Sequence, residues 1–232
     1  MSSQRIDAFL AERGLCARRK AEFFLRDNII TQSDQRITLP GHRINVLEPV
    51  HCNGKVIKEV DNYYIALNKP IRYLCSNYDK EQRDLAISLI PIAKNVRLHS
   101  VGRLDYFSQG LILFTNDGDF TKRVTHPSFE VEKEYILDLE RSLTRLECDR
   151  ITRGMVIDGV QYNVKQIDFL GAHKYSIILQ EGKNREIRRI FESISVKIKN
   201  LNRIRIGSIL LKDMAIGQYR YLTESEIKTF MD

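Results

Sequence analysis

Apolar residues recur at helical spacing twice near the start of the chain, at Ile6, Phe9 and Leu10 and again at Ala21, Phe24 and Leu25. Residues three and four apart share one helix face, so the pattern predicts two short helices, the first stopped by Gly14 and the second over 17–27. The period then changes. Ile37–Leu39, Arg43–Leu47 and Val56–Val60 read as short strands, punctuated by Pro40-Gly41 and Asn53-Gly54. Asn-Gly is a hairpin signal because both residues accept the left-handed backbone of a tight turn. A helical and β unit over 1–60, followed by a second domain over 61–232, is the division this predicts.

Beyond Tyr63 the strand signal dominates. Tyr63–Leu67, Arg97–Val101, Leu111–Thr115, Tyr135–Leu139, Val164–Leu170 and Ser176–Leu179 are rich in β-branched and large apolar residues. Helices are predicted at Leu85–Ile90, Phe120–Thr125, Thr144–Arg153 and Asn184–Ser193, and Thr223-x-x-Glu226 is a capping-box pattern opening a terminal helix. Strands interleaved irregularly with few helices point to an α+β fold rather than a doubly wound one.

Composition narrows the class. With 43% hydrophobic and 29% charged residues in 232, the chain is an ordinary globular one, neither disordered nor collagen-like. No apolar run approaches the roughly 20 residues that span a bilayer, so no membrane partner is expected. The opening MSSQRIDAFL has no apolar signal region, and a cytoplasmic location is expected. Cys16, Cys52, Cys75 and Cys148 form no C-x-x-C pair and are read as free thiols. The 37 Lys+Arg exceed the 30 Asp+Glu by seven, and residues 183–212 alone hold nine basic residues against two acidic. The whole excess therefore sits in one stretch that is too apolar to be a tail. A folded basic face predicts a polyanion partner, nucleic acid first, with an affinity that falls steeply with salt. A second basic cluster, Arg5, Arg13, Arg18, Arg19, Lys20 and Arg26, lies in the two opening helices.

Two stretches carry candidate chemistry. Val101 to Gly110 is a glycine-bounded loop between apolar strands that holds Arg103 and Asp105. Such a loop can fix a carboxylate at a cleft, although chemistry alone also allows a turn aspartate that accepts backbone N–H bonds. Glu181 to Phe191 places Arg185, Arg188 and Arg189 on a helix opened by Gly182 and Asn184, with Arg185 and Arg188 sharing a face suited to phosphate or carboxylate. Other motifs fail on spacing. Asn116 to Asp119 lacks the later ligands of a calcium loop, Ser108 sits in no G-x-S-x-G elbow, Gly182-Lys183 lacks the rest of a P-loop, and the five histidines show no metal spacing.

Taken in order, these motifs resemble the bacterial ribosomal-RNA pseudouridine synthases that modify single sites in the small or large subunit. The resemblance spans essentially the whole chain. The opening R-I-D-A-F-L-A-E-R-G-L-C-A-R-R-K-A-E is similar to an S4-like RNA-binding module. L-N-K-P, V-G-R-L-D, S-Q-G-L-I-L-F-T-N-D-G-D, T-H-P-S, K-E-Y, E-G-K-N-R-E-I-R-R-I-F and L-N-R-I-R-I-G are similar to successive motifs of the catalytic domain. The resemblance implies an S4-like module followed by a mixed, mainly antiparallel-sheet catalytic domain.

It also implies site roles. Asp105 is the expected catalytic aspartate, initiating cleavage of the uridine C1′–N1 bond before the base turns and rejoins through C5. Tyr135 is expected to pack on the base and is a candidate for handling the C5 proton. Arg188 is the expected partner of the aspartate, since a guanidinium favours and orients an ionised carboxylate. Leu201 lines the pocket, and Arg103, Lys183, Arg185 and Arg189 are expected to bind substrate. Arg5, Arg18, Arg19, Lys20 and Lys69 are the expected RNA-binding residues. Ribosomal RNA is the expected partner, a monomer the expected state, and no cofactor or metal is expected. The T-H-P-S and K-E-Y flanks lean towards the large subunit. The alternatives are the same reaction on small-subunit rRNA, and a non-catalytic RNA-binding or ribosome-assembly protein. An N-glycosidase would want a second carboxylate, and none is singled out beside Asp105. Two departures are noted: Phe107 stands where a polar or acidic residue is usual, and Thr31-Gln32-Ser33-Asp34 replaces the usual turn after the second helix.

Overall fold

The computed structural model describes residues 3–231, which fall into two compact units. One takes in the chain up to Tyr63 with Lys94–Arg97 and Asn116–Gly118; the other takes in Tyr64–Ala93, Leu98–Thr115 and the chain from Asp119 onward.

In the first unit, strand β1 (Ser3–Arg5) leads into helix α1 (Ile6–Glu12), which buries Ile6, Phe9 and Leu10 at the predicted spacing. Gly14 then takes a φ of +74°, the left-handed turn for which glycine is favoured after a helix. The second helix is shorter than the periodicity suggests. Arg18–Lys20 wind as a 3-10 turn with none of their side chains buried, and α2 proper is Ala21–Asp27. A small sheet follows in the order β3-β2-β5-β6, formed by β2 (Ile30–Gln32), β3 (Gln35–Ile37), β5 (Val50–Cys52) and β6 (Lys55–Val56). Strand β4 (Arg43–Asn45) pairs with β1. The Asn53-Gly54 turn forms as predicted, both residues having positive φ. Ser33 and Asp34 make a second turn of the same kind, so Thr31 and Gln32 are strand rather than turn. The strand expected over Val56–Val60 stops at Val56. Ile6, Leu10, Ala21, Leu25, Ile30 and Ile44 centre the core of this unit.

The second unit is built on a nine-stranded sheet. Its main path runs β13 (Gln166–Gly171), β14 (Lys174–Leu179), β10 (Lys133–Leu139), β15 (Ile198–Ile206), β9 (Gln109–Thr115), β7 (Tyr64–Lys69) and β17 (Tyr219–Tyr221). Off this path β8 (His99–Val101) pairs with β9, and β16 (Ile209–Leu210) with β15. Every pairing is antiparallel except that of β15 with β9. A separate hairpin joins β11 (Met155–Ile157) to β12 (Val160–Tyr162). The helices are α3 (Gly118–Thr125), α4 (Arg145–Thr152), α5 (Glu186–Ser193) and α6 (Glu224–Met231). Both capping boxes are made, Thr144 with Glu147 and Thr223 with Glu226. The Leu85–Ile90 helix is a 3-10 turn over Ala86–Leu89. Leu111 and Leu113 of β9 pack with Phe120 and Val124 of α3, Ile206 of β15 and Phe230 of α6. The architecture is α+β, mainly antiparallel, as expected.

Candidate active site

The loop between β8 and β9 opens on Gly102 at φ +73° and closes with a turn in which the Ser108 N–H donates to the Asp105 carbonyl at 3.0 Å. Among the described residues no backbone N–H reaches the Asp105 carboxylate. Its partner is Arg188, whose Nε lies 3.5 Å from Oδ2. That choice distinguishes it from an ordinary turn aspartate that accepts backbone N–H bonds.

Arg188 stands on α5, which buries Ile187, Ile190 and Phe191 against the unit and leaves Arg188 on its flank. Arg188 Nη2 donates to the Phe107 carbonyl at 2.9 Å and to Ser108 Oγ at 3.1 Å. One guanidinium thus hydrogen-bonds the loop at Phe107 and Ser108 and faces the Asp105 carboxylate as an ion pair. Burial pulls the Arg188 guanidinium below its ordinary value, and Asp105 opposes that shift. Arg185 departs from expectation. It is the residue before the helix, with φ +51°, and pairs with Glu192 rather than sharing a helix face with Arg188.

Tyr135 and Leu201 come from adjacent strands β10 and β15. Strand β15 buries Leu201 and Arg203 on one face, then breaks its alternation at a bulge opposite Glu134 and Tyr135. A bulge re-aims side chains locally. It leaves Tyr135 directly opposite Arg203, whose Nη1 is 3.4 Å from the tyrosine hydroxyl and whose Nε donates to the Leu111 carbonyl at 2.7 Å. Asp105, Tyr135, Arg188 and Leu201 line one cavity of about 140 Å³, together with Lys133 and Arg203. Arg103, Lys183 and Arg185 also reach its wall. Chemically, this is a carboxylate paired with a guanidinium in a slot also lined by a ring and an aliphatic chain. Such a slot suits a planar base with polar edges.

Three sequence expectations need correction. Lys69 is fully buried, its Nζ donating to the Pro70 and Tyr73 carbonyls, so it presents no charge to RNA. Burial, with a further contribution from Arg203, draws its ammonium down to about 8. Arg189 lies outside the cavity and reaches the Tyr162 hydroxyl at 3.4 Å. The stretch 183–212 is not one exposed basic face. Arg203 is 4% exposed, Arg188 is engaged with Asp105, and Arg205 pairs with Glu132 and Glu134. Arg5 and Arg18 both bond Asp7; burial raises that carboxyl, but the two arginines bring it below its ordinary value. Arg19 and Lys20 are exposed.

Lys133, Arg203 and Glu186 are site residues that sequence reasoning did not single out. Burial lowers Lys133 to about 8, Arg203 adding to the effect, and raises Glu186, whose Oε2 accepts the Lys183 N–H at 3.0 Å. Arg203 carried no visible signal, since in sequence it alternates in step with Lys199 and Arg205.

The family model for RNA pseudouridylate synthase matches residues 63–193, which hold Asp105, Tyr135 and Arg188. An RNA pseudouridine synthase of Borreliella burgdorferi is 37% identical over 99% of this chain and 94% of its own length. The ribosomal large subunit pseudouridine synthase B of Pasteurella multocida is 32% identical over 100% of this chain and 70% of its own. A crystal structure of a pseudouridylate synthase, 26% identical, superposes with a TM-score of 0.71 over 97% of this chain and 99% of that one. With a family model covering more than half the chain and relatives matching it nearly end to end, the chain belongs to the RNA pseudouridylate synthase family and is an isomerase acting on RNA.

Proposed function

We propose that the chain converts a uridine of ribosomal RNA, in the large subunit, to pseudouridine, with Asp105 as its catalytic group. The observation that carries this reading is the Asp105–Arg188 ion pair at 3.5 Å, in a cavity that also holds Tyr135 and Leu201. The reaction breaks the C1′–N1 bond, turns the uracil and joins C1′ to C5; C5 loses a proton and N1 gains one. Nothing is oxidised or transferred to another molecule, so positioned side chains suffice.

Asp105 acts on the ribose, kept in place by Arg188. Tyr135 packs against the uracil, and its hydroxyl, beside Arg203, is the candidate to relay the C5 proton. Leu201 bounds the slot. A uridine within folded RNA must be extruded before it can enter, and the apolar and aromatic walls hold it there. The relative named for the large subunit, together with the T-H-P-S and K-E-Y flanks, supports that subunit. Two helices and a small sheet with Arg19 and Lys20 exposed support an S4-like RNA-binding role for the first unit.

Asp105→Asn is expected to leave rRNA affinity within about twofold while tritium release from C5-labelled uridine falls to background. Undiminished release would remove Asp105 from the chemistry. Mapping pseudouridines in rRNA from cells with and without the protein is expected to show one large-subunit position vanish. Loss of a small-subunit position instead would overturn the choice of subunit.

A further inference from the structure

We infer that a second cavity beside the catalytic slot is a nucleotide subsite, which takes the nucleotide adjoining the target uridine and so selects RNA in which that neighbour is also unpaired. This rests on the function proposed above. The second cavity measures about 440 Å³, against about 140 Å³ for the slot, and Arg103, Asp105, Lys183 and Arg185 line both. The two are compartments of one cleft. A polynucleotide cannot bring one nucleotide to Asp105 without bringing the next to within one backbone step. The roomier compartment is where that step leads.

Its remaining walls carry the two kinds of group that hold single-stranded nucleic acid, rings for bases and guanidinium for phosphate. Tyr78 and Tyr106 both line it. Tyr78 is 74% exposed. Its backbone is nonetheless fixed, since Ser76 Oγ accepts from the Tyr78 N–H and donates to the Tyr78 carbonyl. The segment carrying it is tied to the site: the Arg72 N–H donates to the Tyr106 carbonyl at 2.6 Å, and Leu74 bridges to Leu85. An exposed ring on an anchored backbone is a preformed stacking surface with little ordering left to do on binding.

The charges point the same way. Four basic residues line the cavity, and three are already engaged: Arg83 with Asp79 and Glu81, Lys183 with Glu181, Arg185 with Glu192. Arg103 is exposed and has no ion-pair partner among the described residues. It is the guanidinium left to meet the phosphate between the two nucleotides. The base then lies on Tyr78, and its identity is read only loosely, because every base has a face to stack.

The test uses the full-length protein and a synthetic RNA stem-loop spanning the mapped uridine. Tyr78→Ala is expected to raise KM roughly tenfold and leave kcat within about twofold, while Tyr78→Phe, which keeps the ring, stays at the wild-type KM. With the wild type, an abasic residue at one of the two positions flanking the target is expected to raise KM by the same factor, as is pairing that base in a duplex. With Tyr78→Ala the abasic RNA is expected to show no further loss. Multiplying losses, or abasic substitutions on both sides that leave KM unchanged, would overturn the subsite while leaving the function intact. A wild-type protein that forms no pseudouridine in rRNA would overturn both.

Discussion

Lys69 and Lys133 each lie within electrostatic reach of Arg203, and among the described residues none of the three forms an ion pair with a carboxylate. Burial first, and Arg203 second, draw the two lysines to about 8. In the unfolded chain they return to the ordinary lysine value near 10.5, so between these two values the unfolded state binds more protons and stability rises with pH. Urea unfolding at pH 7.5 and 9.5 is expected to show that rise in the wild type and a smaller one in Lys69→Met/Lys133→Met. Identical changes would mean that the lysines are charged in the folded protein throughout. The same residues show where sequence reasoning stops. Asp105, Tyr135, Arg188 and Leu201 were legible as a set because their motifs occur in order, and the structure brings all four to one cavity. Lys69 and Arg203 were misjudged because a charge count treats every basic residue as if it faced water. Only the sheet tells which ones do not.

At the level of elements, the site depends on where β9 meets β15. Gly110 has φ +105°, and a Cβ there would collide with the backbone of Arg203 and with Asn202. The parallel register Asn202↔Gln109 and Arg203↔Gly110 therefore requires glycine, and it sets the Asp105 loop against the strand bearing Leu201 and Arg203. Gly110→Ala is expected to destabilise the protein by at least about 2 kcal/mol, through left-handed strain and the clash together, read as a lower urea midpoint. It also pushes Arg203 away from the Leu111 carbonyl. The long strands β7, β9, β10 and β14 were legible from their apolar runs. The three-residue strands β2 and β5 were not, since so short a piece shows no period. Strand β15 escaped for a different reason: Lys199, Arg203, Arg205 and the bulge break its alternation, although it is the longest strand described.

For the molecule as a whole, the seven excess positive charges are distributed differently from their positions in sequence. Within 183–212 the partners of Lys183, Arg185, Arg188 and Arg205, the burial of Arg203 and the half-buried place of Arg189 beside Tyr162 leave Lys197, Lys199 and Lys212 as exposed cations with no ion pair among the described residues. In the first unit Arg19 and Lys20 are in the same condition. Arg19→Ala/Lys20→Ala is expected to lower the slope of log affinity against log salt for rRNA by about 1.5, two phosphates at roughly 0.7–0.9 each, with kcat at saturating RNA unchanged. An unaltered slope would remove this helix entry from the RNA contacts. Finally, β15 sits between β10 and β9 although it is made about 60 residues after the one and 80 after the other. During synthesis both of those strands wait with an open edge, which is where chains join wrongly to one another. The cavity that Leu201 and Arg203 line is thus closed only once β15 has emerged, and until then the growing polypeptide carries two unpaired strand edges at once.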